Sequence, residues 1–233
     1  SKGIMSAIAS NLQAVRNRIA HAAQAAGRLP ESVHLLAVSK TWPAACVIEA
    51  AEAGQRAFGE NYVQEAVDKT LATVDRDLEW HFIGPLQSNK TRLVAEHFAW
   101  VHSVERLKIA ERLSAQRPKH LPPLQVCVQV NVSGEVSKSG CAPNETEALC
   151  QAIAQLPGLT LRGLMAIPEP TESLSSQRQP FSQLREILAL VRAGGLALDT
   201  LSMGMSHDLE AAIAEGATIV RIGTAIFGER TYT

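Results

Sequence analysis

The chain has 233 residues, enough for one large domain or two small ones and for a core that needs no staples. Its 22 basic and 23 acidic residues leave a net charge of −1, which supplies no field to gather nucleic acid or an anionic membrane, and no basic run interleaved with aromatics occurs. The four cysteines, Cys46, Cys127, Cys141 and Cys150, have neither CxxC spacing nor a histidine at metal-ligand spacing, so they read as reduced thiols of a cytoplasmic protein.

No stretch approaches the roughly 18 apolar residues of a membrane span, and the N-terminus lacks the zones of a signal peptide. Residues 1–5 are set aside, residues 1–4 as an appended leader and Met5 as the natural start. Ile8, Leu12, Val15, Ile19 and Ala22 then recur at helical spacing, which predicts an amphipathic helix over 6–26, stopped at Gly27. Strands are expected at 34–39, 56–60, 79–84, 100–104, 124–132, 159–167, 200–204 and 218–223. Helices are expected between them, near 43–53, 61–74, 88–96, 105–116, 144–155, 178–193 and 207–215. Pro43 suits a first helical turn, Ser103 a cap for the helix near Glu105, and Pro157-Gly158 a break.

Strands alternating with helices imply parallel βαβ units, and two architectures fit: a closed (β/α)8 TIM barrel and an open doubly wound sheet. An open sheet that binds a nucleotide carries G-x-G-x-x-G after its first strand. Here "KTWPA" follows instead, and the strand count favours the α/β barrel with an extra N-terminal helix, one domain over 6–230. Two loops at the face where such barrels hold their chemistry are long and polar, "SGEVSKSGCAP" and "PEPTESLSSQRQP"; they read equally as ligand covers and as disordered surface.

The first strand, "HLLAVSK", is apolar enough to be buried, yet it ends in Lys40. Lysine is almost never buried unpaired, so Lys40 either emerges into water or is an amine held at a strand mouth to capture a carbonyl. The second strand delivers Glu60 and Asn61, and the third His81. After strands seven and eight, where βα barrels commonly seat a phosphate, stand Ser206, Gly223 and Thr224. Alone, Ser206 reads as a helix cap and Gly223 as a turn; adjacent donors on two successive strands, with the Thr224 hydroxyl, favour a phosphate site over these structural readings. Arg221 shares the inward face of the eighth strand with Gly223 and needs an acceptor, either an acid such as Glu60 or a ligand's ring nitrogen or anionic group. A carbonyl-capturing lysine, a phosphate cradle and an inward arginine match the three features of pyridoxal 5'-phosphate, with Asn61 near the ring or its phenolic oxygen. His81, Cys46 and Cys127 read as core or supporting residues.

"AVSKTWP", "FGENYVQE", "HFIGPLQSNK", "LRGLMAI", "LSMGMSHDLEAAI" and "VRIGTAIFGER" resemble, in order and over about residues 6–230, the pyridoxal phosphate homeostasis protein family, whose fold is the alanine-racemase N-terminal-like barrel. The resemblance implies the cofactor as a Schiff base on Lys40, Asn61 facing it, Ser206, Gly223 and Thr224 on the phosphate, and Arg221 at the pyridine nitrogen. His207 stands at a variable position and receives no role. The resemblance also implies a cytoplasmic monomer that carries or buffers the cofactor, with effects on amino-acid and keto-acid balance, and with apo pyridoxal-phosphate enzymes as recipients.

Arginine donates to the ring nitrogen and takes no proton, which weakens the ring as an electron sink. The chain has only two tyrosines, Tyr62 and Tyr232, and no length beyond the barrel for a second catalytic domain. A non-enzymatic role is therefore expected. The alternatives are a weak pyridoxal-phosphate amino-acid racemase with Lys40 as its base and, more distantly, an aldolase whose lysine takes a sugar phosphate directly. Lys138 is a candidate for a second, transient cofactor site.

Overall fold

The structure is a computed structural model that describes residues 6–133 and 139–229; Lys138 and Tyr232 lie outside them. Eight strands among the described residues, β1 (His34–Val38), β2 (Ala57–Glu60), β3 (Glu79–Phe82), β4 (Trp100–Val104), β5 (Leu124–Gln129), β6 (Leu159–Met165), β7 (Thr200–Ser202) and β8 (Ile219–Ile222), pair in sequence order, all parallel. β8 returns to pair with β1, with Leu36 opposite Arg221 and Ala37 opposite Ile222, and so closes the barrel the sequence predicts. The outer layer is α2 (Ala44–Glu52), α3 (Val63–Ala72), α4 (Thr91–His97), α5 (Leu107–Gln116), α6 (Thr146–Ala154), α7 (Leu174–Ala193) and α8 (Leu209–Ala214), preceded by α1 (Ala7–Ala25) and followed by the single turn α9 (Thr224–Phe227).

α1 forms for the reason its spacing suggests. Ile8, Leu12, Val15 and Ile19 are buried along one stripe, with Ala23 rather than Ala22 completing it, and the Ser6 hydroxyl accepts from the Ala9 N–H as an N-cap. The helix packs on α8 and α9, the two elements that follow β7 and β8. Asn11 donates to the Ile226 carbonyl at 2.9 Å, and Arg18 donates to the Ser206 carbonyl at 2.9 Å while pairing with Glu210. The extra helix therefore braces the loops at one end of the barrel.

Between barrel and helices lies the main apolar layer, with Phe58, Phe82, Leu113, Phe181 and Leu184 fully buried. The barrel interior is different. Its apolar filling is a small group, Leu36, Val38, Ile83, Trp100, Cys127, Met165 and Ile219, and it shares the space with buried His81, His102, Ser202 and Arg221.

Pro43 stands just before α2 as its N-cap rather than in its first turn, and two further helix starts differ from expectation. α7 starts at Leu174 rather than 178, because Ser173 caps it by accepting from the Ser176 N–H, and Pro180 lies inside the helix. Half of the long polar loop after β6 is therefore helix. Ser103 does not cap α5; its hydroxyl donates to the Gly84 carbonyl at 2.6 Å, and α5 starts after Arg106 with no side-chain cap.

β6 and β7 approach so closely at Gly163 that a Cβ there would collide with the Thr200 carbonyl oxygen. Gly163→Ala is expected to destabilise the fold by about 2–3 kcal/mol, read as a lower urea midpoint. An unchanged midpoint would mean that the two strands stand further apart.

Candidate functional site

The closure of β8 on β1 gathers the candidate residues. Lys40 stands two residues beyond the end of β1, exposed at the barrel rim. Gly223 follows β8 directly beside that strand, and a Cβ on it would lie 3.3 Å from the Val38 carbonyl oxygen. Thr224 opens α9, whose first N–H groups have no partner within the turn. The Ser206 and Thr224 hydroxyls lie 3.4 Å apart, so the loops after β7 and β8 present their oxygens together, as the sequence predicts. Ser206 itself is not a cap: α8 starts at Leu209 behind Asp208, whose Oδ1 accepts from the Met205 N–H at 2.7 Å.

The Lys40 segment is bent and strained. Thr41 has φ +68°, a left-handed conformation that costs a β-branched residue energy and persists only where its surroundings impose it. The cause is a buried cation. Lys69 of α3 uses all three of its donors, to the Ser39 carbonyl at 2.7 Å, Glu60 Oε2 at 3.0 Å and Glu65 Oε1 at 2.8 Å. Glu65 Oε1 also accepts from the Thr41 N–H at 2.6 Å, and the Ser39 hydroxyl donates to Glu60. Residues 39 and 41 are thus held on either side of Lys40. Trp42 then stacks on Phe227 of α9, ring centroids 6.3 Å apart, which ties this loop to the one after β8.

Sequence reasoning missed Lys69 and Glu65. Their i,i+4 spacing on α3 was legible, as was the place of Lys69 three residues after Ala66 on the buried stripe; the carbonyl and N–H they hold were not.

Arg221 is fully interior and does not pair with Glu60, whose Oε2 is held by Lys69. The guanidinium donates instead to Ser202 Oγ at 2.7 Å and the Ala166 carbonyl at 2.9 Å, both neutral acceptors. Burial pushes its pKa down to about 10, with Asp208 acting the other way. Ser202 continues a buried row: His102 Nδ1 lies 2.7 Å from Ser202 Oγ, His102 Nε2 2.8 Å from His81 Nδ1, and His81 Nε2 2.7 Å from Glu79 Oε1. Burial holds the pKa of both histidines down, His102 most, while the hydrogen bond from His81 holds the Glu79 carboxyl low. His81 is thus a supporting core residue, and Cys127 is buried with its thiol pushed up to about 12, useless as a nucleophile.

Asn61, the last of the predicted set, follows β2 at the same rim, and its Oδ1 is buried without a partner, as is Glu60 Oε1. An amine at the rim, paired hydroxyls beside a close-approach glycine, an interior guanidinium and an orphaned amide oxygen fit an aldehyde with a phosphate tail and a heteroaromatic ring. A groove of about 1560 Å3 lies at the opposite mouth, lined by His34, Glu79, Trp100 and Arg162 among others, away from Lys40. Among the described residues no cluster of metal-ligating side chains and no helix able to cross a membrane occurs, and the four cysteines form no disulfide.

The chain matches the family model described as alanine racemase, N-terminal domain, over residues 10–231. It is 66% identical over 228 residues to a Pseudomonas aeruginosa protein named pyridoxal phosphate homeostasis protein, the match covering 98% of each chain. A protein of the same name from Escherichia coli K12 is 56% identical over 232 residues, covering 98% of this chain and 99% of that one. Among solved structures, PipY of Synechococcus elongatus, determined with pyridoxal phosphate bound, superposes with a TM-score of 0.84 at 41% identity, covering 95% of this chain and all of that one.

Lys69→Met leaves the Glu60 carboxylate buried and unpaired and should cost about 3–5 kcal/mol in urea denaturation; adding Glu60→Gln should recover much of the loss. A Lys69→Met variant as stable as wild type would show that the pair does not hold this bend. The buried histidines set a pH dependence. Because their folded pKa values lie below the unfolded value of about 6.5, the unfolded chain binds these protons first, and stability present above that pH falls as the pH drops below it. The slope should be roughly 1 kcal/mol per pH unit for each histidine, and His102→Gln should flatten it. An equal slope in the variant would remove His102 as its source.

Proposed function

The chain belongs to the alanine racemase N-terminal-domain family and, within it, to the pyridoxal phosphate homeostasis proteins, and we propose that it binds pyridoxal 5'-phosphate on Lys40 as a carrier and buffer of the cofactor. The observation that carries this reading is the convergence, at one end of the barrel, of an exposed lysine, a paired Ser206–Thr224 hydroxyl cradle beside Gly223, and the interior Arg221.

In this reading Lys40 would hold the cofactor by its aldehyde group, its amine being the nucleophile exposed at the rim. The strained turn at Thr41 and the Lys69 clamp keep the amine at the rim, where an aldehyde reaches it from solvent. Ser206 and Thr224 donate their hydroxyl protons to the phosphate, and the N–H groups at the start of α9 add to them. Gly223 keeps the backbone beside Val38 bare, so that the cofactor lies close. Asn61 presents its amide to the ring substituents.

Bound pyridoxal phosphate supplies an electron-withdrawing ring that stabilises negative charge on an adjacent carbon. Arg221 limits that capacity. It donates a hydrogen bond at the ring nitrogen and has no lone pair with which to hold a proton there. Its hydrogen bonds among the described residues go to two neutral acceptors and none to a carboxylate. This supports a binding role over turnover. The absence of a disulfide among the described residues suits a reducing cytoplasm, and a Lys40 exposed at an open rim suits transfer of the cofactor from a monomer to apo pyridoxal-phosphate enzymes.

The purified protein should show a visible absorbance band with the cofactor and, after borohydride reduction, one trapped adduct on Lys40. Both should be lost in Lys40→Ala; a band that survives places the cofactor elsewhere. Ser206→Ala and Thr224→Ala should each weaken retention by about 1.5–3 kcal/mol, the worth of a hydrogen bond to a charged group, measured by equilibrium dialysis. Unchanged affinity in the double variant would remove both from the site, and turnover at ordinary enzyme rates abolished by Lys40→Ala would overturn the carrier reading.

A further inference from the structure

The row Glu79, His81, His102, Ser202, Arg221 crosses the barrel interior from one mouth to the other. Its members come from β3, β4, β7 and β8, and every link is 2.7–2.8 Å long. The role of a hydroxyl or neutral imidazole in such a row is open until its ends are known, since each can donate in either direction. Here both ends are fixed. Glu79, its carboxyl held low, only accepts, and Arg221 only donates.

The directions then follow one by one. His81 Nε2 carries the proton donated to Glu79, so a neutral His81 accepts at Nδ1. His102 therefore carries its proton at Nε2 and accepts at Nδ1, and the Ser202 hydroxyl donates to it. That leaves the Ser202 lone pairs to receive Arg221. All four hydrogen bonds point from the arginine toward the carboxylate, and their dipoles present an acceptor to a guanidinium that hydrogen-bonds to no carboxylate among the described residues, Asp208 acting on it only through space. Reversing any one link leaves two donors or two acceptors facing each other in a dry interior.

We propose that Glu79, His81, His102 and Ser202 are positioning residues for Arg221, a single oriented hydrogen-bond chain through which the carboxylate at the far mouth fixes the guanidinium that meets the cofactor ring. This rests on the reading of Arg221 as the partner of the ring nitrogen. The far end is open to influence from outside. The Glu79 side chain is 52% exposed and lines the groove at that mouth, where His34 and Arg162 also act on it. At the other end Asp208 and Cys127 act on Arg221. Around the middle, the His81 ring stacks on Trp100 at 5.2 Å, and Trp100 carries Arg162 on its other approach at 4.8 Å. The arrangement places a charge-sensitive handle on the cofactor at the face of the barrel remote from Lys40.

The test uses the full chain. Side-chain nitrogen NMR of the cofactor-free protein should show His81 and His102 as neutral Nε2–H tautomers. Glu79→Ala, at an exposed position that the fold tolerates, should abolish that preference at both, although Glu79 does not touch His102. Loaded with pyridoxal 5'-phosphate, Glu79→Ala and Ser202→Ala should bind one equivalent as wild type does, but the pH midpoint of the visible band should move by half a unit or more. Glu52→Gln, which removes an exposed carboxylate paired with Arg76 away from the row, should move neither readout. An unaltered His102 tautomer in Glu79→Ala overturns the chain, and an altered tautomer with an unmoved band overturns its coupling to the cofactor. A wild-type protein that forms no adduct at Lys40 overturns the functional reading instead, with the tautomers of the cofactor-free protein still deciding whether Glu79 directs His102.

Discussion

The pairing of β8 with β1 is the constraint on which the rest depends. Those strands lie at opposite ends of the chain, and their register, Leu36 on Arg221 and Ala37 on Ile222, decides what meets at the rim. One step beyond the pairing, Gly223 abuts Val38, and Thr224 begins its turn on the side where Lys40 emerges. A slip of β8 by one residue would turn Arg221 and Gly223 to the outer face of the barrel. α1 secures the closure from outside, through Asn11 on α9 and Arg18 on the loop that bears Ser206.

Two buried cations then divide the work, and they are treated differently. Lys69 is neutralised by carboxylates on two sides and locked to the backbone, a static brace whose effect is the strained bend at Thr41. Arg221 is given only neutral acceptors, so its charge is left to act on whatever lies at its free side. Filling a barrel interior with histidines and an arginine forgoes apolar packing that would stabilise the fold more. Such local violations of folding preference are expected where function requires them. The chain shares its barrel with the alanine racemase N-terminal-domain family.

Much of this was legible in the sequence, and the part that was not has a common cause. The eight strands follow from short apolar runs between breakers; their alternation with helices fits a barrel or an open sheet, and the strand count with the missing glycine-rich turn favours the barrel. Lys40, Asn61, Ser206, Arg221, Gly223 and Thr224 all lie at strand ends or on an inward face, positions that period-two counting locates. Contacts that depend on which of several partners is nearest were not legible. Glu60 was an equal candidate for Arg221 until the fold put Lys69 beside it. Ser103 and Ser206 stand where caps stand, yet their oxygens are used on Gly84 and toward Thr224. The helix expected from 178 starts at Leu174, because Ser173, inside a stretch that reads as polar loop, caps it. The histidine row could be suspected only from His81 and His102 interrupting otherwise apolar strands; its continuity needs the register of four strands at once.

The most direct measurement is the electron density of crystals grown with pyridoxal 5'-phosphate. The account predicts continuous density from the Lys40 side chain to the cofactor, the phosphate between the Ser206 and Thr224 hydroxyls, and the Arg221 guanidinium facing the ring nitrogen while still bonded to Ser202. A cofactor seated at the opposite mouth, or one bound at the rim with its phosphate away from residues 206 and 224, would contradict it.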